Sequence, residues 1–283
     1  MDYQSYRLDP FQEQACRAID RGHSVIVAAP TGAGKTVIAE YAAQRCRQLD
    51  RRVIYTAPIK ALSNQKYRDF CALLGDDVGI VTGDVVLNAT APVLVMTTEI
   101  FRNTIFDDVS RLHDVEYVIF DEIHYINDIE RGTVWEESLI FAPQNIKFVC
   151  LSATIPNLSE FSEWIQSIRD VELEIISEER RPVPLEHYIY MPNTGVGTLE
   201  DFKRLYEILQ QRRQQGEDAA PPLDLAGWDI ERRSLVEHLV SHYRLPCLYF
   251  CFSRRGCEER AKFFASNDAF LSPRERERIL DVY

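Results

Sequence analysis

Apolar residues in this chain fall into short runs separated by longer amphipathic stretches, and the alternation holds from residue 24 to about residue 177. The runs near 24–29, 52–57, 78–81, 93–97, 116–121, 146–151 and 171–177 predict strands. The stretches near 36–48, 61–74, 98–106, 132–141 and 157–168 carry apolar residues at helical spacing and predict helices. Strands alternating with helices predict one parallel-sheet α/β domain over residues 1–178. Arg180-Arg-Pro-Val-Pro184 breaks both periods and marks its exit. A linker region then runs over 179–245. It opens with an alternating strand at Leu185–Tyr190 and continues as polar helices, interrupted by a joint at Gly216-Glu-Asp-Ala-Ala-Pro-Pro222. From 246 to 283 a second α/β pattern begins: an apolar strand from Cys247, then helices near 254–265 and 273–282. One strand and two helices cannot close a core, so the expectation is a second domain that is incomplete in this chain.

Composition narrows the class. With 283 residues, 46% of them hydrophobic, the chain can bury at least one full core. No apolar run approaches the roughly 18 residues of a membrane span, and the polar start Met1-Asp-Tyr-Gln-Ser5 is unlike a signal peptide. The seven cysteines (Cys16, Cys46, Cys71, Cys150, Cys247, Cys251 and Cys257) include no CxxC pair and read as reduced thiols. A cytoplasmic location is expected, or a nuclear one in a eukaryote. A metal site at Cys247, Cys251 and Cys257 is disfavoured because Cys247 and Cys251 share one predicted strand. The net charge of −12 disfavours whole-surface binding of nucleic acid but leaves room for a local basic groove, for which Lys60, Lys66, Arg68, Arg102, Arg254 and Arg255 are available.

Two segments carry the chemistry. Ala29-Pro30-Thr31-Gly32-Ala33-Gly34-Lys35-Thr36 follows the predicted strand at 24–28 and precedes a helix. Strand, glycine-bearing turn and helix start in that order aim backbone N–H groups and the helix dipole at one point, which suits a polyphosphate. Lys35 can then reach the β/γ-phosphates, and the Thr36 hydroxyl can ligate Mg2+. Ala29 replaces the glycine usual at the first position, a small cost if its backbone avoids the left-handed region. The second segment, Glu116-Tyr-Val-Ile-Phe-Asp121-Glu122-Ile-His124, is a strand ending in carboxylates. Ligands of such sheets bind at carboxyl ends of strands, so Asp121 is placed to hold Mg2+ and Glu122 to activate water. Taken alone, either segment could be a bare turn or a helix cap.

The ordered set of motifs resembles the superfamily 2 helicases of the DExH type, and within them the Ski-like group that includes RNA helicases serving the exosome. Phe11-Gln12 resembles the adenine-reading glutamine motif, and Thr56-Ala-Pro58-Ile-Lys60-Ala-Leu62 motif Ia. Thr82-Gly83-Asp84 and Thr97-Thr98-Glu99 resemble further nucleic-acid motifs, Ser152-Ala-Thr154 motif III, and Tyr249-Phe-Cys-Phe-Ser253-Arg254 motif IV. The run from Asp121 through Arg131 to Trp135-Glu-Glu137 and the phrase Leu151-Ser-Ala-Thr-Ile-Pro-Asn157 lie nearer the RNA-processing branch than the DNA-repair branch.

The resemblance implies a RecA-like P-loop domain followed by the start of a second RecA-like domain. It implies an ATP- and Mg2+-dependent motor moving 3′-to-5′ on single-stranded RNA, with an RNA-degrading complex as a possible partner. Gln12 and residues 29–36 would bind ATP, with Lys35 and Glu122 catalytic. His124, Ser152 and Thr154 would couple the motor. Thr56, Pro58, Lys60, Thr82, Gly83, Asp84, Thr98, Glu99, Arg102, Ser253 and Arg254 would meet nucleic acid. Ser152 and Thr154 are expected to hydrogen-bond the Asp121-Glu122 segment, and Trp135 to lie in the core. Motifs V and VI, the latter with the arginine of the second lobe, are absent from the sequence, so the expectation for the chain by itself is almost no turnover. A DNA-directed helicase of the same superfamily, a small-molecule phosphotransferase and a nucleotide-binding module without unwinding activity are the rival readings.

Overall fold

A computed structural model describes residues 2–3, 6–154, 157–191, 195–214, 235–236, 238–240, 242, 246–265 and 273–280. The chain divides into two compact units, Met1–Leu185 and Glu186–Tyr283.

The first unit is built on an eight-stranded sheet. Its elements alternate as the sequence pattern requires: α1 (Pro10–Asp20), β3 (Ser24–Ala28), α2 (Thr36–Gln48), β4 (Arg52–Ala57), α3 (Lys60–Leu74), β5 (Val78–Val81), β7 (Val93–Thr97), α4 (Thr98–Asp107), β8 (Val115–Phe120), α5 (Gly132–Phe141), β9 (Lys147–Ser152), α6 (Leu158–Ile168) and β10 (Leu173–Ser177). Helix α1 precedes the alternation that begins at residue 24 and is not one of its helices, and two further pieces are too short to show a period: the hairpin of β1 (Asp2–Tyr3) with β2 (Tyr6–Arg7), and β6 (Val86–Leu87). The strand order is β10-β3-β9-β8-β4-β7-β5-β6, parallel throughout except for β6 at the edge.

Side chains of successive residues point to opposite faces of a sheet, and both faces are covered. Val53, Tyr55, Tyr117 and Ile119 pack with the α1, α2 and α3 side. Ile54, Val118, Phe120 and Phe148 pack with Phe101 of α4, Trp135 of α5 and Ile165 of α6. Trp135 is wholly buried, as expected of a core residue.

One buried polar residue holds the α5 face together. Arg169, just after α6, donates to the carbonyls of Ala142 at 2.8 Å, Pro143 at 2.7 Å and Ile146 at 2.8 Å, and more weakly to Leu139 at 3.4 Å. Its guanidinium lies 4.4 Å from the centre of the Phe148 ring. Burial lowers its pKa to about 10, so it remains a cation at neutral pH. It thereby caps the end of α5 at Leu139 and Ala142, where helix carbonyls lack a partner of their own, and ties down the loop that leads to β9 through Pro143 and Ile146. Arg169→Ala is expected to destabilise the unit by about 3 kcal/mol, since charged hydrogen bonds to buried carbonyls are lost. That corresponds to a fall in Tm of about 6–12 °C in a unit of this size. A melting curve displaced by less than 2 °C would show that water takes over those carbonyls without loss.

The second unit contains a hairpin of Ile189–Met191 with Gly195–Gly197, then α7 (Leu199–Gln214) and helices at Arg254–Ala265 and Pro273–Leu280. The expected strand from Cys247 does not form. Residues 247–253 have no strand conformation, and Leu248, Phe250 and Phe252 are 83%, 86% and 112% exposed. A strand exists only through the neighbours that satisfy its backbone, and none pairs with this segment among the described residues. The expected joint at 216–222 lies outside the described residues.

Candidate nucleotide site and nucleic-acid face

Strand order gathers the motifs at one edge of the sheet. β3, β9 and β8 are adjacent, and their carboxyl ends carry the phosphate loop, Ser152 and Asp121. The next three strands, β4, β7 and β5, end at Thr56–Pro58, Thr97–Glu99 and Thr82–Asp84. Ligands of open α/β sheets bind at this end. The seam between the two sets of motifs is the β8/β4 pair.

The phosphate loop begins at Ala29, which is buried and donates from its backbone to the Ser152 carbonyl at 3.1 Å. Gly32 and Gly34 take φ of +87° and +84°, a region closed to most side chains. At Gly34 a Cβ would also stand 2.7 Å from the Gln12 amide nitrogen. Helix α2 starts at Thr36, one residue after Lys35. The Lys35 ammonium donates to the carbonyls of Ala29 at 2.7 Å and Pro30 at 3.2 Å, folded back over the loop. Its pKa is lowered by burial, while the charges of Glu122 and Asp121 oppose the shift, so these three groups share one electrostatic site.

Gln12 is buried rather than free at the surface. Its amide donates to the Ala33 carbonyl at 3.3 Å and the Gly34 carbonyl at 3.1 Å, and its oxygen accepts from the Asp9 N–H at 2.9 Å. Both amide hydrogens are therefore spent on the phosphate loop. Beside it lies a cleft of about 340 Å³ lined by Asp9, Pro10, Phe11, Ala33, Glu178, Arg180 and Pro182. Glu178, Arg180 and Pro182 were not legible as site residues, because the chain brings them back only through the β10–β3 pairing.

At the end of β8, Asp121 is held from three directions. Its N–H donates to the Thr56 carbonyl at 3.0 Å, its Oδ1 accepts from the Glu122 N–H at 3.1 Å, and its Oδ2 accepts from the Tyr55 hydroxyl. Glu122 adopts left-handed backbone angles, φ 54° and ψ 47°, which cost a non-glycine residue about 1–3 kcal/mol and are retained mainly at functional turns. Its carboxyl pKa is raised, first by burial and then by the Asp121 charge, with His124 and Lys35 opposing. His124 Nδ1 is 3.3 Å from Glu122 Oε2, an ion-pair distance without hydrogen-bond alignment. The oxygen donors of Thr36 and Asp121, beside a lysine and a glycine-bearing loop, fit a magnesium polyphosphate. Lys66 of α3 faces the same place, 3.4 Å from Thr36 Oγ1, rather than the nucleic-acid motifs.

Ser152 departs from its expectation. Its hydroxyl is buried and has no hydrogen-bond partner among the described residues, so it does not bond Asp121 or Glu122. Thr154 is exposed, two residues beyond the end of the same strand.

On the nucleic-acid side, several expected contact residues lie inside the protein. Thr56 is buried and donates to the Ile119 carbonyl at 3.1 Å; Thr98 and Pro58 are buried too. Thr82 is buried and its hydroxyl accepts from the Val85 N–H at 3.2 Å, whereas Gly83 and Asp84 are exposed. The cations are already paired: Lys60 with Asp84 at 2.6 Å, and Arg102 with Glu137 at 2.8 Å. Glu99 accepts from Arg131, which also donates to the Pro58 carbonyl at 2.5 Å and lies 5.6 Å from the centre of the Trp135 ring. Arg131 thus ties the ends of β4 and β7 together, a role the sequence did not announce. In the second unit, Ser253 caps its helix by accepting from the Gly256 N–H at 3.0 Å, and Arg254 is exposed.

The sheet, loop and carboxylate pair define a P-loop, RecA-like nucleotide-binding protein. Residues 9–161 match the family model described as DEAD/DEAH box helicase, and the chain belongs to that family. It is 42% identical over 293 residues to human Superkiller complex protein 2, covering 96% of this chain and 23% of that protein. It is 41% identical over 301 residues to ATP-dependent RNA helicase mtr4 of Schizosaccharomyces pombe, covering 98% and 26%. The chain therefore spans about a quarter of the length of these relatives. The crystal structure of DUF1998 helicase MrfA shares the fold, with a TM-score of 0.61 at 18% identity over 96% of this chain and 41% of that one. No helix among the described residues is long and apolar enough to cross a membrane.

Proposed function

We propose that this chain is the nucleotide-binding part of an ATP-dependent RNA helicase that moves 3′-to-5′ on single-stranded RNA in RNA processing or decay. The observation that carries the motor reading is the sharing of one sheet edge by nucleotide motifs on β3, β9 and β8 and nucleic-acid motifs on β4, β7 and β5. A small-molecule phosphotransferase has no use for the second set. RNA is favoured over DNA by the relative named ATP-dependent RNA helicase mtr4, and association with a complex by the relative named Superkiller complex protein 2.

In this reading the cleft beside Phe11 receives the adenine, and Gln12 acts through the loop it braces. Lys35 leaves the Ala29 and Pro30 carbonyls to meet the β/γ-phosphates. Thr36 and Asp121 hold Mg2+, which when bound neutralises phosphate charge. Glu122 orients the attacking water and accepts its proton, a task suited to a carboxylate of raised pKa. On the other half of the edge, the backbone around Gly83 and cations released from carboxylate partners meet the sugar-phosphate strand without reading bases.

The test is ATP turnover by the complete protein with single-stranded RNA and DNA of matched sequence. Stronger stimulation by RNA is expected; equal or greater stimulation by DNA would replace the RNA reading with the DNA-directed one. Within the same reading, Arg254→Ala is expected to weaken RNA binding evenly across sequences. It should reduce the slope of log affinity against log salt by about 0.7, the value for one phosphate contact on a single strand. Lys60→Ala should change it less, because Asp84 already holds that ammonium. A loss that depends on base sequence would overturn this picture of the grip.

A further inference from the structure

We infer that Tyr55 is a positioning residue for magnesium: its hydroxyl fixes the Asp121 carboxylate in the orientation that receives the metal. The inference rests on the reading of Asp121 as a magnesium ligand and adds a residue to it. Tyr55 is 1% exposed, in the interior of the face covered by α2 and α3, with its ring edge-on to Phe70 at 5.4 Å. Packing there asks only for a ring. Phenylalanine would supply it without bringing into the interior a hydroxyl that costs free energy unless bonded.

The partner chosen by that hydroxyl is what points to the site. Tyr117, on the neighbouring strand β8 and the same face, directs its hydroxyl to the backbone carbonyls of His23 at 2.9 Å and Ile19 at 3.3 Å. Tyr55 instead donates to Asp121 Oδ2, at the carboxyl edge of the sheet. With Oδ1 accepting from the Glu122 N–H at 3.1 Å, each carboxylate oxygen takes one protein hydrogen. Each keeps a lone pair for a ligand, and rotation of the carboxylate about its Cβ–Cγ bond is blocked.

Tyr55 also stands at the seam. It belongs to β4, whose next residue accepts the Asp121 N–H and whose end leads through Pro58 to Lys60. A single strand therefore carries both the brace for the magnesium carboxylate and the turn into the nucleic-acid motifs. Groups that orient metal ligands in this way commonly contribute 10–100-fold to metal affinity.

The experiment is binding of a fluorescent ADP analogue to the complete protein, titrated with Mg2+, with no hydrolysis involved. Tyr55→Phe is expected to raise the Mg2+ midpoint about tenfold while leaving affinity in EDTA unchanged and lowering the melting temperature in EDTA by only about 2–4 °C, the loss of one hydrogen bond. A midpoint within twofold of the parent would overturn the inference. So would a variant that melts more than about 6 °C below the parent in EDTA, which would assign the hydroxyl to core stability. Asp121→Asn separates this inference from the reading beneath it. If that variant raises the midpoint and Tyr55→Phe does not, only the role of Tyr55 fails. If neither changes it, the magnesium assignment of Asp121 fails as well.

Discussion

Glu122→Gln is expected to lower ATP turnover by the complete protein by about 10²–10⁴, the usual contribution of a positioned general base, while ATP and RNA binding persist. The amide keeps the size and the left-handed turn but cannot accept a proton. The pH profile of the parent supplies an independent reading of the same residue. A base works in its ionised form, so turnover is complete above the Glu122 pKa and lost as pH falls through it. Burial and the neighbouring Asp121 charge raise that pKa. The acid limb should therefore lie above the value of about 4.3 typical of a free glutamate. An acid limb that is unmoved in Glu122→Gln, or turnover at the parental rate, would take the role of base away from this residue.

Lys35→Ala is expected to abolish measurable turnover, with a loss on the order of 10²–10³ or more from the removal of one preorganised positive group at the developing charge. Nucleotide affinity should fall too. Lys35 is the only side-chain cation in the loop, and its ammonium sits partly buried between the loop carbonyls and the charges of Asp121 and Glu122. The variant should keep its fold, because the ammonium gives up only two loop carbonyls that water can reach once the side chain is gone. Circular dichroism and melting check that point. Turnover within tenfold of the parent would mean that Lys66, which approaches Thr36 from α3, supplies the missing charge.

The two variants separate binding from chemistry. Loss at Lys35 appears in both nucleotide affinity and turnover, whereas loss at Glu122 appears in turnover alone. Glu122 also shows why a strained residue persists: its φ of 54° turns the chain away from β8 and brings the carboxylate to the electrostatic site of Lys35 and Asp121. A residue in extended conformation there would continue the strand direction and carry the carboxylate elsewhere.

The sequence by itself determined the alternating strands and helices from β3 to β10, though not α1, β1, β2 or β6, and the strand, turn and helix start at residues 24–36. Both depend on neighbours in the chain: apolar runs long enough to show a period, and a strand, turn and helix start whose backbone groups converge whatever lies around them. It could not show the order β3-β9-β8-β4-β7-β5, since which strands become neighbours depends on how distant faces pack. That order decided which motifs lie together at the carboxyl ends of β3, β9 and β8 and which at those of β4, β7 and β5. Tertiary structure also decided what each candidate side chain touches. Gln12 turned inward to the loop, Thr56 and Thr98 became buried, Lys60 and Arg102 met carboxylates, and the apolar segment from Cys247 formed no strand. Tyr55 and Arg131 gained roles that no local pattern announces, because a hydroxyl or guanidinium finds its partner across the sheet. Local sequence sets backbone conformation over a few residues, whereas hydrogen-bond partners and burial are set by groups far apart in the chain.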